Sequence, residues 1–389
     1  MFRYKLYRSK HNGRLHRLIN IGGAIHNHVI ALHKRYYRLY KKHLSHYKLK
    51  AHLAKLKRLP KYAWWKQLRA QVIQNIVDRI DKGYERFFQS LRDRKAGKAT
   101  QRVGSPTFRK IAKAKSFTMT QDGWKLLGAN RIQIHGTVYK FAKSRDIEGT
   151  IKTVTVKRDA LGELYIYFSC LLDAQPIDRT MTGQSAGFDF GLTTYLTGND
   201  GTEIQAPQPF KRRLKQIAQA NRRLSRKAKN SHNRKKAQQH LARVHRRVVH
   251  VREAFHWHLA RDLCQRYDHI ALETLNLRSM QALWGRKISD LGFAGFVCIL
   301  HHVASKLGSV VHHIDLWFPS TKLCSICGVL NEHITLRDRA WTCDACGTTH
   351  RRDQNAATNI YREGASSRGE ECIRLPMAAA LVDPRISRL

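Results

Sequence analysis

The sequence predicts an α+β multidomain chain, with a small antiparallel sheet interrupted by a helical insertion and then a second α/β region that carries a metal ribbon. Three observations predict it. Apolar periodicity switches from helical to alternating near residue 117, strand-like and helical segments alternate again after about residue 178, and two Cys-x-x-Cys pairs fall late in the chain. The 389 residues suggest two or three domains at a prior of roughly 150 residues each. A hydrophobic content of 42% is enough to fill real cores.

Taken in order, Phe2–Tyr7 alternates as a strand does, and apolar residues then recur at helical spacing through Ile21, Ile25, Val29 and Leu32. A further helix is expected over Ala63–Leu91, where Leu68, Val72, Ile76, Ile80, Tyr84 and Phe87 share a face, before a Gly/Lys-rich loop at Lys95–Thr107. Ile151–Lys157 and Glu163–Leu171, joined by Asp159-Ala-Leu-Gly162, read as a hairpin. Residues 1–177 thus form one domain with an insertion at about 14–115. The boundary is expected in the Pro-containing stretch Ala174–Asp178.

Beyond it, Ala186–Gly191, Thr193–Gly198 and Thr202–Gln205 read as a strand meander, the last two joined by the turn Asn199-Asp-Gly201. Two basic helices split near Lys229–Asn233 follow. Then come a strand at His269–Leu272, a helix at Ser289–Leu307, a strand at Val310–Phe318, the cysteine pairs, and a helix at Asp353–Glu363. The second domain is therefore 178–363, with the ribbon at 319–350 inserted in it. A tail at 364–389 has no periodicity and is expected to be loosely ordered.

Charge narrows the function. Seventy-two Lys and Arg against 28 Asp and Glu leave a net +44, a self-repulsion that a polyanion would relieve, and nucleic acid is the abundant polyanion. Residues 1–77 hold 19 Lys/Arg and no acid, with Tyr36, Tyr37, Tyr40, Tyr47, Tyr62, Trp64 and Trp65 interspersed; these aromatics read as helix packing one by one and as base-stacking surface as a group. Residues 211–252 are a second acid-free block with 16 Lys/Arg at helical spacing, expected on phosphates. The longest apolar run, Leu291–Leu300, is too short for a membrane span, and MFRYKLYRSK lacks an apolar signal core. Eight cysteines, four of them in two pairs, argue for metal in a reducing compartment and so for a cytoplasmic protein.

Cys324-Ser-Ile-Cys327-Gly and Cys343-Asp-Ala-Cys346-Gly stand fifteen residues apart. Each turn can set two thiolates on one side of a metal, and two such turns close a tetrahedral zinc site. Four thiolates leave no open coordination position, so the site reads as structural. Cys170, Cys264, Cys298 and Cys372 lie in ordinary contexts.

With so few acids, a carboxylate inside an apolar strand is informative, because burying it alone is costly. Asp189 sits in Gly-Phe-Asp-Phe-Gly, Glu273 ends His-Ile-Ala-Leu-Glu, and Asp353 opens a helix after His350-Arg-Arg. Singly, Asp353 also reads as an N-cap and Glu273 as a strand-end ion pair. Three hard carboxylates at strand or helix ends suit Mg²⁺ or Mn²⁺ and two-metal phosphodiester hydrolysis.

In this order the segments Gly187–Leu192, Leu272–Leu277, Pro319–Gly328, Trp341–Gly347 and His350–Ile360 resemble the TnpB family of transposon-encoded RNA-guided nucleases, which are related to the type V CRISPR effectors. The likeness is strong over about 185–362 and weaker upstream. Arg351 departs from it, standing where the family often has an acid. The resemblance implies an N-terminal β-barrel-like wedge with a helical recognition insertion, followed by a RuvC-like RNase H α/β fold with an inserted zinc ribbon. It implies a metal-dependent DNA endonuclease that cuts target DNA beside a short adjacent motif. The partners would be a guide RNA derived from the transposon end and double-stranded target DNA, with no membrane. Asp189, Glu273 and Asp353 would be the catalytic Mg²⁺ ligands, with Asp189 bridging, and Cys324, Cys327, Cys343 and Cys346 the Zn²⁺ ligands. Two other readings stay open: an RNA-guided DNA-binding repressor that does not cut, and a guide-free RuvC-like nuclease.

Overall fold

A computed structural model describes residues 1–98, 102–172, 179–335 and 337–366. The expected boundary at Ala174–Asp178, part of the Lys95–Thr107 loop, and residues 367–389 of the expected tail, with Cys372, lie outside the described residues. The chain divides into two compact units, Met1–Gln175 and Pro176–Leu389.

In the first unit, β1 (Phe2–Lys5) leads into α1 (Asn12–Tyr40), α2 (His46–Leu56) and α3 (Ala70–Lys95). Strands β2 (Ser116–Met119), β3 (Trp124–Leu126), β4 (Arg131–Ile134), β5 (Thr137–Lys140), β6 (Thr150–Arg158) and β7 (Leu164–Leu171) follow. One antiparallel sheet runs β1-β7-β6-β2 and a second runs β3-β4-β5. Alternation explains the larger sheet. The register aligns Phe2, Phe168, Val154 and Met119 in one row and Tyr4, Ile166, Val156 and Phe117 in the next, all buried. In the expected hairpin, Asp159 Oδ1 accepts from the N–H groups of Leu161 and Glu163 at 2.9 and 2.7 Å, fixing the turn.

The helix expected over Ala63–Leu91 is instead a 3₁₀ stretch at Pro60–Gln67 followed by α3, with Leu68 and Arg69 extended between them. Leu68 and Trp65 are both buried, so the apolar spacing continues through a break that periodicity alone does not reveal. The aromatics of this region divide. Trp65 is buried against Tyr62 at 4.8 Å between ring centroids, whereas Tyr37, Tyr40 and Tyr47 stay exposed.

In the second unit, β8 (Ser185–Phe190), β9 (Leu196–Gly198) and β10 (Glu203–Ile204) form an antiparallel meander. Helices α4 (Pro209–Arg212), α5 (Leu214–Ser225) and α6 (His232–Arg266) precede β11 (His269–Leu272). Then come α7 (Leu277–Leu291), α8 (Phe293–Leu307) and β12 (Val310–His313), the hairpin β13 (Ala340–Thr342) and β14 (Thr349–Arg351), and α9 (Arg352–Ser366). The five-stranded sheet has the order β10-β9-β8-β11-β12, with β8, β11 and β12 parallel.

The single helix expected at Ser289–Leu307 is two, broken at Gly292, whose φ of +66° an L side chain rarely adopts. No single helix among the described residues is long and apolar enough to cross a membrane. The most apolar one, α8, spends Phe293, Phe296 and Leu300 on a core shared with Phe188, Phe190, Tyr195 and Leu272. On β8 and β11 lies α9, and glycine permits the contact. A Cβ on Gly187 would stand 2.7 Å from the Ala357 carbonyl oxygen, and one on Gly364 would stand 2.5 Å from Ala271 Cβ. This close approach brings the start of α9 to the ends of β8 and β11.

Candidate active site and metal centre

The parallel pairing of β8 with β11 sets Leu272 opposite Phe188, so the next residues in each strand direction, Glu273 and Asp189, are neighbours. The Phe190 N–H donates to Glu273 Oε1 at 3.1 Å. Asp353 stands in the first turn of α9, where an acid also complements the helix dipole. Three segments far apart in sequence thus converge. Burial, then the charges of Glu273 and Asp353, raise the Asp189 carboxyl well above the usual carboxylate range, with Arg352 opposing. Burial likewise lifts Glu273 to about 7, against the stabilising N–H of Phe190.

The expected set is brought together but not closed. Among the described residues, the four ribbon cysteines are the group whose donor atoms all lie within 4.8 Å of one another, and the three carboxylates do not reach that spacing. Asp353 is instead ion-paired. Arg352 donates from Nε and Nη2 to Asp353 Oδ1 at 2.9 and 2.7 Å, and Arg339 Nη1 lies 3.4 Å from Oδ2. The physical reason is charge. Three carboxylates at the edge of an apolar sheet attract whatever cation is at hand, and here it is guanidinium. The same surplus of hard oxygen donors and negative charge fits a divalent cation, which Asp189, Glu273 and Asp353 would hold. Arg351, the residue that departs from the family pattern, turns elsewhere and pairs with Glu203 at 2.7 Å.

The ribbon is closed. Its Sγ atoms lie 3.7 Å apart for Cys324 and Cys346 and 3.6 Å apart for Cys327 and Cys343. A tetrahedral site with Zn–S of about 2.3 Å requires about 3.8 Å, so the cluster can hold a metal such as zinc. In each knuckle a glycine N–H returns to the first cysteine's carbonyl, Gly328 to Cys324 and Gly347 to Cys343, both at 2.9 Å. Backbone N–H groups, that of Cys346 foremost, hold the Cys343 thiol down to about 6, toward the thiolate that a metal needs. His350 Nε2 lies 3.1 Å from Cys324 Sγ and its ring packs on Trp341, a supporting place beside the cluster.

Sequence reasoning missed two residues that join the ribbon to the carboxylates. Asn355 and Asn359, both buried one turn apart on α9, grip the first knuckle. Asn355 accepts from the Ser325 N–H at 2.9 Å and donates to the Leu323 carbonyl at 2.8 Å, while Asn359 donates to the carbonyls of Ser320 and Leu323 at 2.8 and 2.6 Å. The available signal was two asparagines four apart on an otherwise apolar helix face.

Of the basic blocks, 211–252 forms α4, α5 and the first part of α6, with α5 and α6 packed through Ile217, Ala220, Leu241, Val244 and Val248. A groove of about 790 Å³ beside them is lined by Arg222, Arg223, Arg226 and Lys227 with no acid.

The two family profiles that match fall almost wholly on this unit. The OrfB_IS605 family profile, described as "Probable transposase", matches residues 169–283, and the "Cas12f1-like, TNB domain" profile matches 293–360. A "Putative RNA-guided DNA endonuclease" of Streptomyces pristinaespiralis is 36% identical over 217 residues, 55% of this chain and 53% of the relative. "TnpB-like protein L79" of Acanthamoeba polyphaga mimivirus is 28% identical over 241 residues, 58% of this chain and 46% of the relative. The chain thus spans about half the length of these relatives. It spans 81% of the Escherichia coli (strain K12) "Putative RNA-guided DNA endonuclease InsQ", at 24% identity over 83% of this chain. Among solved structures, the Cas12f1–sgRNA–target DNA complex, determined by cryo-EM, contains a chain of the same fold, with a TM-score of 0.53 at 13% identity over 89% of this chain and 82% of that one. The two profiles span the segments that carry Asp189, Glu273, Asp353 and the four ribbon cysteines, and the chain is similar to TnpB-like proteins and to putative RNA-guided DNA endonucleases.

Proposed function

We propose that the chain is an RNA-guided DNA endonuclease that hydrolyses phosphodiesters at Asp189, Glu273 and Asp353, with Mg²⁺ or Mn²⁺ as cofactor, beside a short adjacent motif in double-stranded target DNA. The guide RNA would derive from the transposon end. In this reading the second unit is a RuvC-like nuclease domain with a zinc ribbon, and the first is a wedge-like sheet whose helical insertion meets the nucleic acid. The observation that carries it is the convergence of the three acids: Asp189 and Glu273 each follow the last parallel pair, Phe188 with Leu272, and the glycine-permitted seat of α9 brings Asp353 toward them. The names of the relatives and of the Cas12f1 complex supply the guide and the DNA target.

The divalent cations, when bound, would activate water and offset charge developing on the leaving oxygen. The chain's own contribution is to hold three carboxylates at fixed strand and helix ends, with the Phe190 N–H orienting Glu273. Cations on α5 and α6 neutralise the backbone charge of the strands. The ribbon thiolates bear on folding rather than on the reaction.

The test is the ribonucleoprotein purified with its native flanking locus and incubated with Mg²⁺ on matched and randomised DNA. A discrete co-purifying RNA that directs cutting, abolished by Asp189→Ala with binding retained, is the expected result. Cutting by the Asp189→Ala complex would remove the site. A discrete RNA without cutting by the unaltered protein would favour the repressor, and cutting without RNA would favour the guide-free nuclease.

A further inference from the structure

The mechanism above leaves two arginines without a task. Arg352 is largely buried, contacts Asp353 through Nε and Nη2, and is close enough to lower the proton affinity of Asp189. Arg339 differs in every respect. It belongs to the ribbon, four residues before Cys343, its side chain is 63% exposed, and it approaches the other carboxylate oxygen at 3.4 Å. Its backbone is nevertheless fixed, because the Arg352 N–H donates to the Arg339 carbonyl at 3.0 Å. One oxygen of Asp353 therefore carries a short, sheltered pair. The other carries a long, solvated one.

An exposed ion pair at this distance is weak and easily exchanged for a better partner. The better partner for a guanidinium at the mouth of a phosphodiesterase site is a phosphate, which it can meet with two parallel N–H bonds. Removing the cation from Asp353 Oδ2 at the same moment frees an oxygen ligand. We propose that Arg339 is a strand-contacting residue that covers Asp353 Oδ2 until a phosphate of the incoming nucleic acid draws it away, so that strand binding and divalent-cation binding at the carboxylates reinforce each other. Arg352, short and sheltered, stays with Oδ1 as the fixed counter-charge. This rests on the nuclease reading of the three carboxylates and adds an order to it: the ribbon reports the arrival of the strand to the site.

Linkage makes the proposal measurable without cleavage, since if the strand strengthens cation binding, the cation must strengthen strand binding by the same factor. The experiment titrates Mn²⁺, followed by the loss of its free-ion EPR signal, into the zinc-loaded full chain, with and without a phosphorothioate single-stranded DNA that resists cutting. The unaltered protein is expected to bind Mn²⁺ two- to fivefold more tightly with the oligonucleotide present. Arg339→Gln is expected to show that gain already without the oligonucleotide, to show little further gain with it, and to bind the oligonucleotide more weakly. Asp353→Asn should lose the tighter binding in both conditions. Should Arg339→Gln bind Mn²⁺ no better than the unaltered protein in the absence of DNA, or keep the full oligonucleotide effect, the proposal is overturned. Failure of the underlying reading looks different, since Mn²⁺ binding would then be indifferent to both Asp189→Asn and Asp353→Asn.

Discussion

Glu273 offers a stability test that needs neither guide nor target. Burial lifts its carboxyl from 4.5 to about 7, and each unit is worth about 1.36 kcal/mol, so ionising it in the fold costs roughly 3 kcal/mol. The sign follows from proton binding. Between pH 4.5 and about 7 the folded chain holds more protons here than the unfolded chain, so stability falls as pH rises through that window, and the full cost is present above it. Glu273→Gln keeps an oxygen for the Phe190 N–H but cannot ionise. In zinc-loaded, Mg²⁺-free protein the variant should melt higher than the parent at pH 8, by on the order of 5–10 °C for a unit of this size, and nearly with it at pH 4.5. Adding Mg²⁺ at pH 8 should then raise the melting temperature of the parent and leave the variant nearly unmoved, because a cation that binds only the folded state stabilises it. Differential scanning fluorimetry across pH reads both effects. Parallel pH profiles for the two proteins, or a variant less stable than the parent at pH 8, would refute the claim that this carboxylate is held at a cost.

Asn359→Ala leaves the Ser320 carbonyl without its side-chain donor in a buried place and the Leu323 carbonyl with Asn355 alone, which costs about 1–3 kcal/mol; hydrogen exchange should accelerate over 320–325 while metal analysis still finds one zinc per chain, and unchanged exchange would count against the tether. Reversing two groove charges with Arg222→Glu and Arg226→Glu should weaken nucleic-acid binding and flatten its salt dependence, measured by fluorescence anisotropy from 50 to 300 mM salt. An unaltered slope would take that groove out of the phosphate contact.

How much of this was legible beforehand differs by the range of the interaction concerned. The hairpin 151–171 follows from alternation and strand β11 from a short apolar run, both local properties, and both were readable. The ribbon was readable because two Cys-x-x-Cys turns carry their geometry within four residues each. The break at Leu68 and Arg69 was not, because a buried leucine keeps helical spacing whether or not its backbone is helical. Helix α7 escaped for a related reason. Its only buried residues, Ile288, Asp290 and Leu291, sit at its end, and Asp290 is buried because it accepts from the Phe210 and Lys211 N–H groups across the fold.

That three acids stand at strand and helix ends was legible, but the ion pairing of Asp353 was not, and the contrast shows what a motif encodes. Gly187, Asp189, Glu273, Asp353 and Gly364 each belong to a short run that fixes backbone path or charge, and together they specify a converging site. What occupies that site depends on Arg339, fourteen residues upstream of Asp353 across the ribbon and unremarkable in a chain with 72 Lys and Arg. Only a folded ribbon brings it there, through the hairpin that pairs Ala340 with Arg351 and the knuckle that α9 grips by Asn355 and Asn359. A strongly basic chain gains affinity for polyanions, yet it also surrounds its few carboxylates with competing cations. On the proposed nuclease reading, a metal at Asp353 Oδ2 would compete with Arg339, and the polyanion that the rest of the chain attracts is the natural agent for drawing that arginine away.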